Sequence, residues 1–149
     1  MHRLNLFLLF LLLAGVMAHA APARIIKVLP HYLDKEGRHS LAPSLFERDA
    51  YQAYLRKNPA ERAGLRFDVQ WKAGGTKGFK LRVELRGSAE KNPTTAVLEE
   101  GVSPGKVFSK WSVLALRGGD YQRFGELIAW RVTLWEGDAQ VAEYQSFLW

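Results

Sequence analysis

Two alternating stretches dominate the middle of the chain. Leu65, Phe67, Val69 and Trp71 alternate with Arg66, Asp68, Gln70 and Lys72; further on, Phe79, Leu81, Val83 and Leu85 alternate with Lys80, Arg82, Glu84 and Arg86. A period of two sends successive side chains to opposite faces, so each stretch predicts a strand with one dry and one wet face. Gly74-Gly75-Thr76-Lys77-Gly78 between them reads as a turn, and the pair as a hairpin. With Lys72 facing Gly78, Asp68 falls opposite Arg82 and Arg66 opposite Glu84. The same register sets Phe67 against Val83 and Val69 against Leu81.

Upstream, Arg24 to Leu29 is a short β-branched run that Pro30 is expected to stop, a first strand. Ser44-Leu45-Phe46-Glu47 carries a capping-box signature: the hydroxyl can accept an orphan helix N–H. Phe46, Ala50, Ala53 and Tyr54 then recur at helical spacing, and Asn58-Pro59 ends the helix because the residue before proline is pushed out of helical geometry. This predicts one amphipathic helix in an insertion spanning about residues 30–64. Four more extended runs follow: about Thr94–Glu100, Val107–Arg117, Glu126–Glu136 and Gln140–Trp149. Glycine-rich breaks at 101–105, 118–120 and 137–138 separate them. The sum is a mainly β chain of about seven strands with one helix after the first, which predicts an antiparallel β-sandwich.

The last two runs carry an anomaly. Ile128, Trp130, Val132 and Leu134 make one apolar face, joined by Ala142, Tyr144 and Leu148 if Glu136 faces Gln140. The opposite face mixes Arg131, Thr133, Glu143 and Gln145 with Leu127, Trp135, Val141, Phe147 and Trp149. A solvated sheet face does not need that many large apolar groups, so something covers this face or binds to it. The first expectation is that the helix covers it, Phe46 and Tyr54 packing on Trp135 and Phe147. The second is a binding platform built from Trp135, Phe147 and Trp149 with Arg131 and Glu143 between them, since tryptophan and tyrosine anchor interfaces well; the third is a self-association surface or a lipid-facing one.

Strand number, spacing and the closing Trp130/Tyr144 hairpin resemble an immunoglobulin-like or fibronectin-III-like sandwich over Leu65–Trp149 plus Arg24–Leu29. Tyr121 stands near where such folds keep a corner tyrosine. The chain departs from them in lacking a cysteine pair, in carrying its early-hairpin tryptophan at Trp71, and in the insertion after strand one. The resemblance implies a domain that binds or scaffolds rather than catalyses, which is an analogy of fold.

The beginning of the chain changes the setting. Met1-His2-Arg3 is basic, Leu4–Met17 is apolar apart from Asn5, and Ala18-His19-Ala20 is a small-residue cleavage pattern. This order predicts a secretory signal over residues 1–20, with a run too short for a bilayer core that needs about twenty residues. The domain is then 21–149, exported, with no membrane span after cleavage. All 149 residues include no cysteine, which excludes disulfides, thiol catalysis and cysteine-ligated zinc. Asn92-Pro93-Thr94 is disqualified as a glycosylation acceptor by its proline. The expected place is the bacterial periplasm or the cell exterior. With 21 Lys+Arg against 15 Asp+Glu the chain is basic, which favours anionic neighbours without naming one. An envelope protein or a glycan is the expected partner.

Candidate chemistry is sparse. His31, Asp34, Glu36 and His39 fall within nine residues and could converge on a divalent metal, the basis of a metal-dependent enzyme as an alternative, although their spacing matches no established motif and the expectation is no metal and no cofactor. No serine sits in a nucleophile-elbow context, the glycine-rich turn lacks phosphate-loop spacing, and Glu99-Glu100 point to opposite faces of one strand. The basic residues are interleaved with acids, which argues against nucleic acid. The aromatic C-terminus, Tyr144-Gln-Ser-Phe147-Leu-Trp149, supports a second alternative, a small outer-membrane β-barrel with Phe67, Val69, Leu81 and Val83 facing lipid. The preferred expectation is a non-catalytic binding or structural module.

Overall fold

The computed structural model describes residues 22–149. The expected signal peptide lies outside the described residues. Seven strands form two antiparallel sheets: β1 (Arg24–Asp34), β2 (Arg62–Lys72) and β5 (Lys110–Arg117) in the order β1-β2-β5, and β3 (Phe79–Ala89), β4 (Asn92–Val102), β6 (Glu126–Glu136) and β7 (Ala139–Gln145) in the order β4-β3-β6-β7. The helix α1 (Leu45–Lys57) follows β1, and a short helix α2 (Gly118–Phe124) precedes β6. The architecture is the expected sandwich with a helix after the first strand.

The inner faces are the dry faces of the two alternating stretches. Phe67, Val69 and Trp71 from β2 meet Leu81, Val83 and Leu85 from β3, with Leu114, Leu116, Val132 and Leu134 completing the core. Phe67, Val69, Leu81 and Val83 are wholly buried, so the barrel reading, which needed these four on lipid, is overturned. Trp71 packs on Phe79 and donates its indole N–H to Ser112 Oγ at 3.0 Å.

Those same stretches correct the first expectation. β2 and β3 do not pair; residues 73–78 carry the chain from one sheet to the other. β2 is central between β1 and β5, and β3 is central between β4 and β6, so Phe67 and Val83 share the core instead of a ladder. Alternation of period two describes either arrangement equally well. The charged residues find other partners: Arg66 reaches Asp68 on its own strand at 2.8 Å, and Arg131 reaches Glu84 at 2.8 Å.

β1 also continues through Pro30 to Asp34, so the connecting segment runs over 35–61 rather than 30–64. Proline is tolerated there because β1 is an edge strand whose missing N–H need not enter a ladder. Ser44 caps α1 as expected, its Oγ accepting the Glu47 N–H at 3.1 Å, and Asn58 closes it before Pro59. The helix does not cover the aromatic face. It turns Gln52 and Leu55 inward against β1, leaving Phe46 and Tyr54 exposed. Gln52 decides this: its side-chain oxygen accepts the Tyr32 N–H at 2.7 Å, and its amide donates to Tyr32 O at 2.9 Å and His39 O at 2.8 Å. Three bonds to backbone outweigh a weak apolar stripe.

Candidate binding surface

The outward face of the four-stranded sheet collects most of the residues singled out from the sequence. β3 supplies Lys80, Arg82, Glu84 and Arg86; β6 places Trp135, Thr133, Arg131 and Ala129 opposite them in that order. β7 adds Glu143 opposite Thr133, and β4 adds Glu99 opposite Arg82. The predicted register of the last hairpin holds for Val132–Tyr144 and Leu134–Ala142 and shifts by one at Trp135–Gln140. A second irregularity, in the pairing of β6 with β3, sets Ala129 and Leu127 opposite the consecutive Arg86 and Gly87 and leaves the skipped Ile128 half-exposed instead of on the core side. Leu148 is likewise exposed, not on the core-facing side.

Glu84 is the hub. Nε and Nη2 of Arg131 donate to one of its oxygens at 3.0 and 2.8 Å, and Arg82 approaches the other at 4.0 Å. Arg82 and Lys80 both reach Glu99, at 3.6 and 3.3 Å, and Arg131 stands 3.9 Å from Glu143. Trp135 lies half-buried along its strand and donates its indole N–H to Thr133 Oγ1 at 2.8 Å.

The chain end supplies the rest. After β7, Ser146 bonds back to β6, its N–H to Trp130 O at 2.9 Å and its Oγ to the Trp130 N–H at 3.0 Å. This return sets the Trp149 ring beside two guanidinium groups, Arg86 at 3.9 Å and Arg131 at 4.9 Å from its centroid. Phe147, on the same return, is fully exposed. The structure therefore joins Arg131, Glu143 and Trp149 into one network with Glu84 and Arg86, seats Trp135 on the same face, and leaves Phe147 pointing to solvent. Sequence reasoning missed Arg86 and Glu84, which only cross-strand register could have brought to the face. Of the large apolar groups expected on this face, Trp149 is sheltered by the long cationic side chains of Arg86 and Arg131, whereas Leu127 and Val141, next to the two irregularities, pack against the core instead.

The four candidate metal ligands divide into two groups. Asp34 is tied to Arg38, accepting the backbone N–H at 2.7 Å and Nε at 2.8 Å, and to the Tyr51 hydroxyl at 2.7 Å; Glu36 also takes Arg38. Burial alone would raise the Asp34 carboxyl, but these donors hold it below its ordinary range, while burial and the Asp34 bond push the Tyr51 hydroxyl up to about 12. His31 instead sits buried with Nδ1 3.2 Å from Asp68 Oδ2, off hydrogen-bond geometry, and its ring 5.1 Å from that of His39. Arg66 Nη1 is 3.4 Å from His39 Nδ1. Burial, Arg66 and His31 all lower the His39 pKa. Among the described residues no three His, Asp or Glu side chains converge as a metal site would require.

A second apolar area lies outside the three-stranded sheet, where Trp111 and Val113 of β5 and Leu45 of α1 are exposed around a cavity of about 420 Å³ with Lys27, Arg48 and Arg66 on its walls. Its signal in sequence was the β5 alternation, in which Trp111 and Val113 fall on the side opposite Leu114 and Leu116.

Compared with known proteins, the chain matches no family model, no curated protein and no solved structure.

Proposed function

We propose that this is a non-catalytic binding module of the bacterial cell envelope, exported by its N-terminal signal, whose outward four-stranded sheet face takes a glycan or the surface of an envelope protein. The observation that supports this reading is the assembled face itself. Trp135 and Trp149 sit beside a network of Arg82, Arg86, Arg131, Glu84 and Glu143, and neither described helix, α1 or α2, has its main contacts with β6 or β7. The principal cavities are lined elsewhere, without Trp135, Arg131, Glu143 or Trp149, so the face offers a platform and not a pocket for a small molecule. Planar indoles beside oriented guanidinium and carboxylate groups suit a sugar chain laid across them, rings against indole and hydroxyls on the charged groups.

The strand order supports the immunoglobulin-like reading as well. Strands one, two and five form one sheet, and three, six and seven the other, with strand four on the second; immunoglobulin constant domains share that split apart from strand four. Tyr121 sits in α2 and packs against the core near the expected corner.

The test is a titration of the exported chain with isolated envelope polysaccharide, followed by tryptophan fluorescence. Trp135→Ala should weaken binding by about 2 kcal/mol, as interface anchors do, with the far- and near-UV circular dichroism retained. Unfolding of that variant would make Trp135 a core residue and remove the reading.

A further inference from the structure

The four sheet edges are not equally protected. β1 is broken by two register shifts and carries Pro30, β5 has eight residues, and β7 has seven with a shift of its own. β4 differs: it pairs with β3 over eleven consecutive residues without a shift, and among the described residues no strand pairs with its other side. Alternate residues along it turn their N–H and C=O groups away from β3. Among the described residues, no backbone hydrogen bond made outside the strand ladders falls on residues 92–102. An open cavity of about 480 Å³ runs along this edge, lined by five consecutive residues, Thr94 to Leu98, by Leu116 and Phe124 behind them, and by the ion-paired Asp120 and Arg123 of α2. Water can satisfy such a row in the free chain, and the macromolecular partner that matches its alternating donors and acceptors in full is another extended strand.

We propose that the occupant is β4 of a second copy of this chain, paired antiparallel about a two-fold axis through Val97. The residue pattern fits itself in that register. Val97, half-exposed on the outward face, meets Val97; Ala96 meets Leu98 on the core side; Thr95 meets Glu99 and Thr94 meets Glu100. No like charges fall opposite each other, whereas a register centred on Glu99 or Glu100 would set carboxylate against carboxylate. Ala96 and Leu98 of the second copy would enter the cavity toward Leu116, covering apolar groups that are only half-buried in one copy. The result is a continuous eight-stranded sheet, in which two outward faces of the kind described above lie side by side. The inference does not depend on what those faces bind.

The absence of cysteine makes the register directly measurable. Residues paired across a two-fold in an antiparallel ladder have Cα atoms about 4.5 or 5.5 Å apart, both within the span of a disulfide. Val97→Cys should therefore form a cross-linked dimer under mild oxidation, while Thr95→Cys, whose copies would lie about 13 Å apart along the strands, should not. Analytical ultracentrifugation of the unmodified chain should show a concentration-dependent dimer. Val97→Lys, which sets two ammonium groups at the axis from an exposed position, should weaken it at least tenfold without changing the circular dichroism. A monomer at every concentration up to about 0.5 mM would overturn the proposal. So would a dimer that Val97→Lys leaves intact, or equal cross-linking of the two cysteine variants.

Discussion

Glu84 of β3 and Arg131 of β6 stand directly opposite one another, and Arg131 gives two N–H groups to a single Glu84 oxygen at 3.0 and 2.8 Å. The pair joins the two central strands of the four-stranded sheet, and Trp149 rests beside its guanidinium. Side chains that would wave freely on an ordinary solvated face are thereby held before any partner arrives, which lowers the entropy that binding must overcome. Both groups are partly shielded, at 21 and 32% exposure, so their coupling should exceed that of a surface pair. A double-mutant cycle of Glu84→Gln and Arg131→Met, read by urea unfolding, should give a coupling of about 1 kcal/mol.

The attachment of α1 rests on Gln52. Its three hydrogen bonds go to the backbone of β1 and of the loop that follows it, and its side chain is buried. Gln52→Ala leaves Tyr32 N–H and two carbonyls without their partner and should cost about 2–3 kcal/mol in chemical denaturation. Phe46→Ser, on the exposed side of the same helix, should change stability by less than about 0.5 kcal/mol.

Gly125, between α2 and β6, has φ 77° and ψ −139°, a conformation reserved for glycine, and a Cβ there would meet Ser88 O at 2.2 Å. Gly125→Ala should destabilise the domain by more than about 3 kcal/mol, lowering the denaturation midpoint with little change in slope.

The β3–β4 turn points the other way. Glu90 and Lys91 both have positive φ, 50° and 67°, in a two-residue loop closed by the Ala89–Asn92 pair. Side chains of this kind cost about 1 kcal/mol each in the left-handed region. Replacing Glu90-Lys91 by Asn-Gly should raise the thermal midpoint and add about 1–2 kcal/mol of stability.

Acidification should destabilise the domain in two stages. Burial, Arg66 and His31 lower the His39 pKa in the folded state, so the unfolded chain binds its proton first. Stability then rises with pH in that range, and it should begin to fall below about pH 6.5, where unfolded histidine titrates. Asp34 and Asp68 follow. Burial opposes their ionisation, but Arg38 and Tyr51 at one site, and His31 and Arg66 at the other, lower both pKa values. Their stabilisation is present above about pH 4 and is lost as pH drops through the folded values. His39→Gln should remove the upper stage and leave the lower one.

Much of this architecture was legible in the chain, and the failures share a cause. Period-two alternation located β2 and β3 and named their buried residues correctly, yet could not tell a ladder partner from a partner across the core. The apparent fit of Asp68 with Arg82 was a coincidence of interleaved charges. The α1 boundaries followed from Ser44 and Asn58-Pro59, which act locally. Its buried side did not, because Gln52 is polar and gained its place through backbone groups distant in sequence. The Glu90-Lys91 turn carries no asparagine or glycine to announce it, and α2 hides behind Gly118-Gly119, held instead by the buried Phe124. The outward face was visible as an excess of aromatics around Arg131 and Glu143. Its members Glu84 and Arg86, and the seating of Trp149, required the order of strands.

The five tryptophans give the most direct test of the face as the binding surface. Trp71 is in the core, Trp130 stacks on Tyr144 at its margin, Trp111 lies outside the other sheet, and Trp135 and Trp149 lie on the proposed surface. The measurement is a ¹⁵N-correlated NMR titration that follows the five indole N–H signals as isolated envelope polysaccharide is added. If this face is the binding surface, the Trp135 and Trp149 signals should move together and saturably, while Trp71 and Trp111 stay in place. Saturable movement of Trp111 with Trp135 and Trp149 unmoved would place binding on the three-stranded sheet and contradict it.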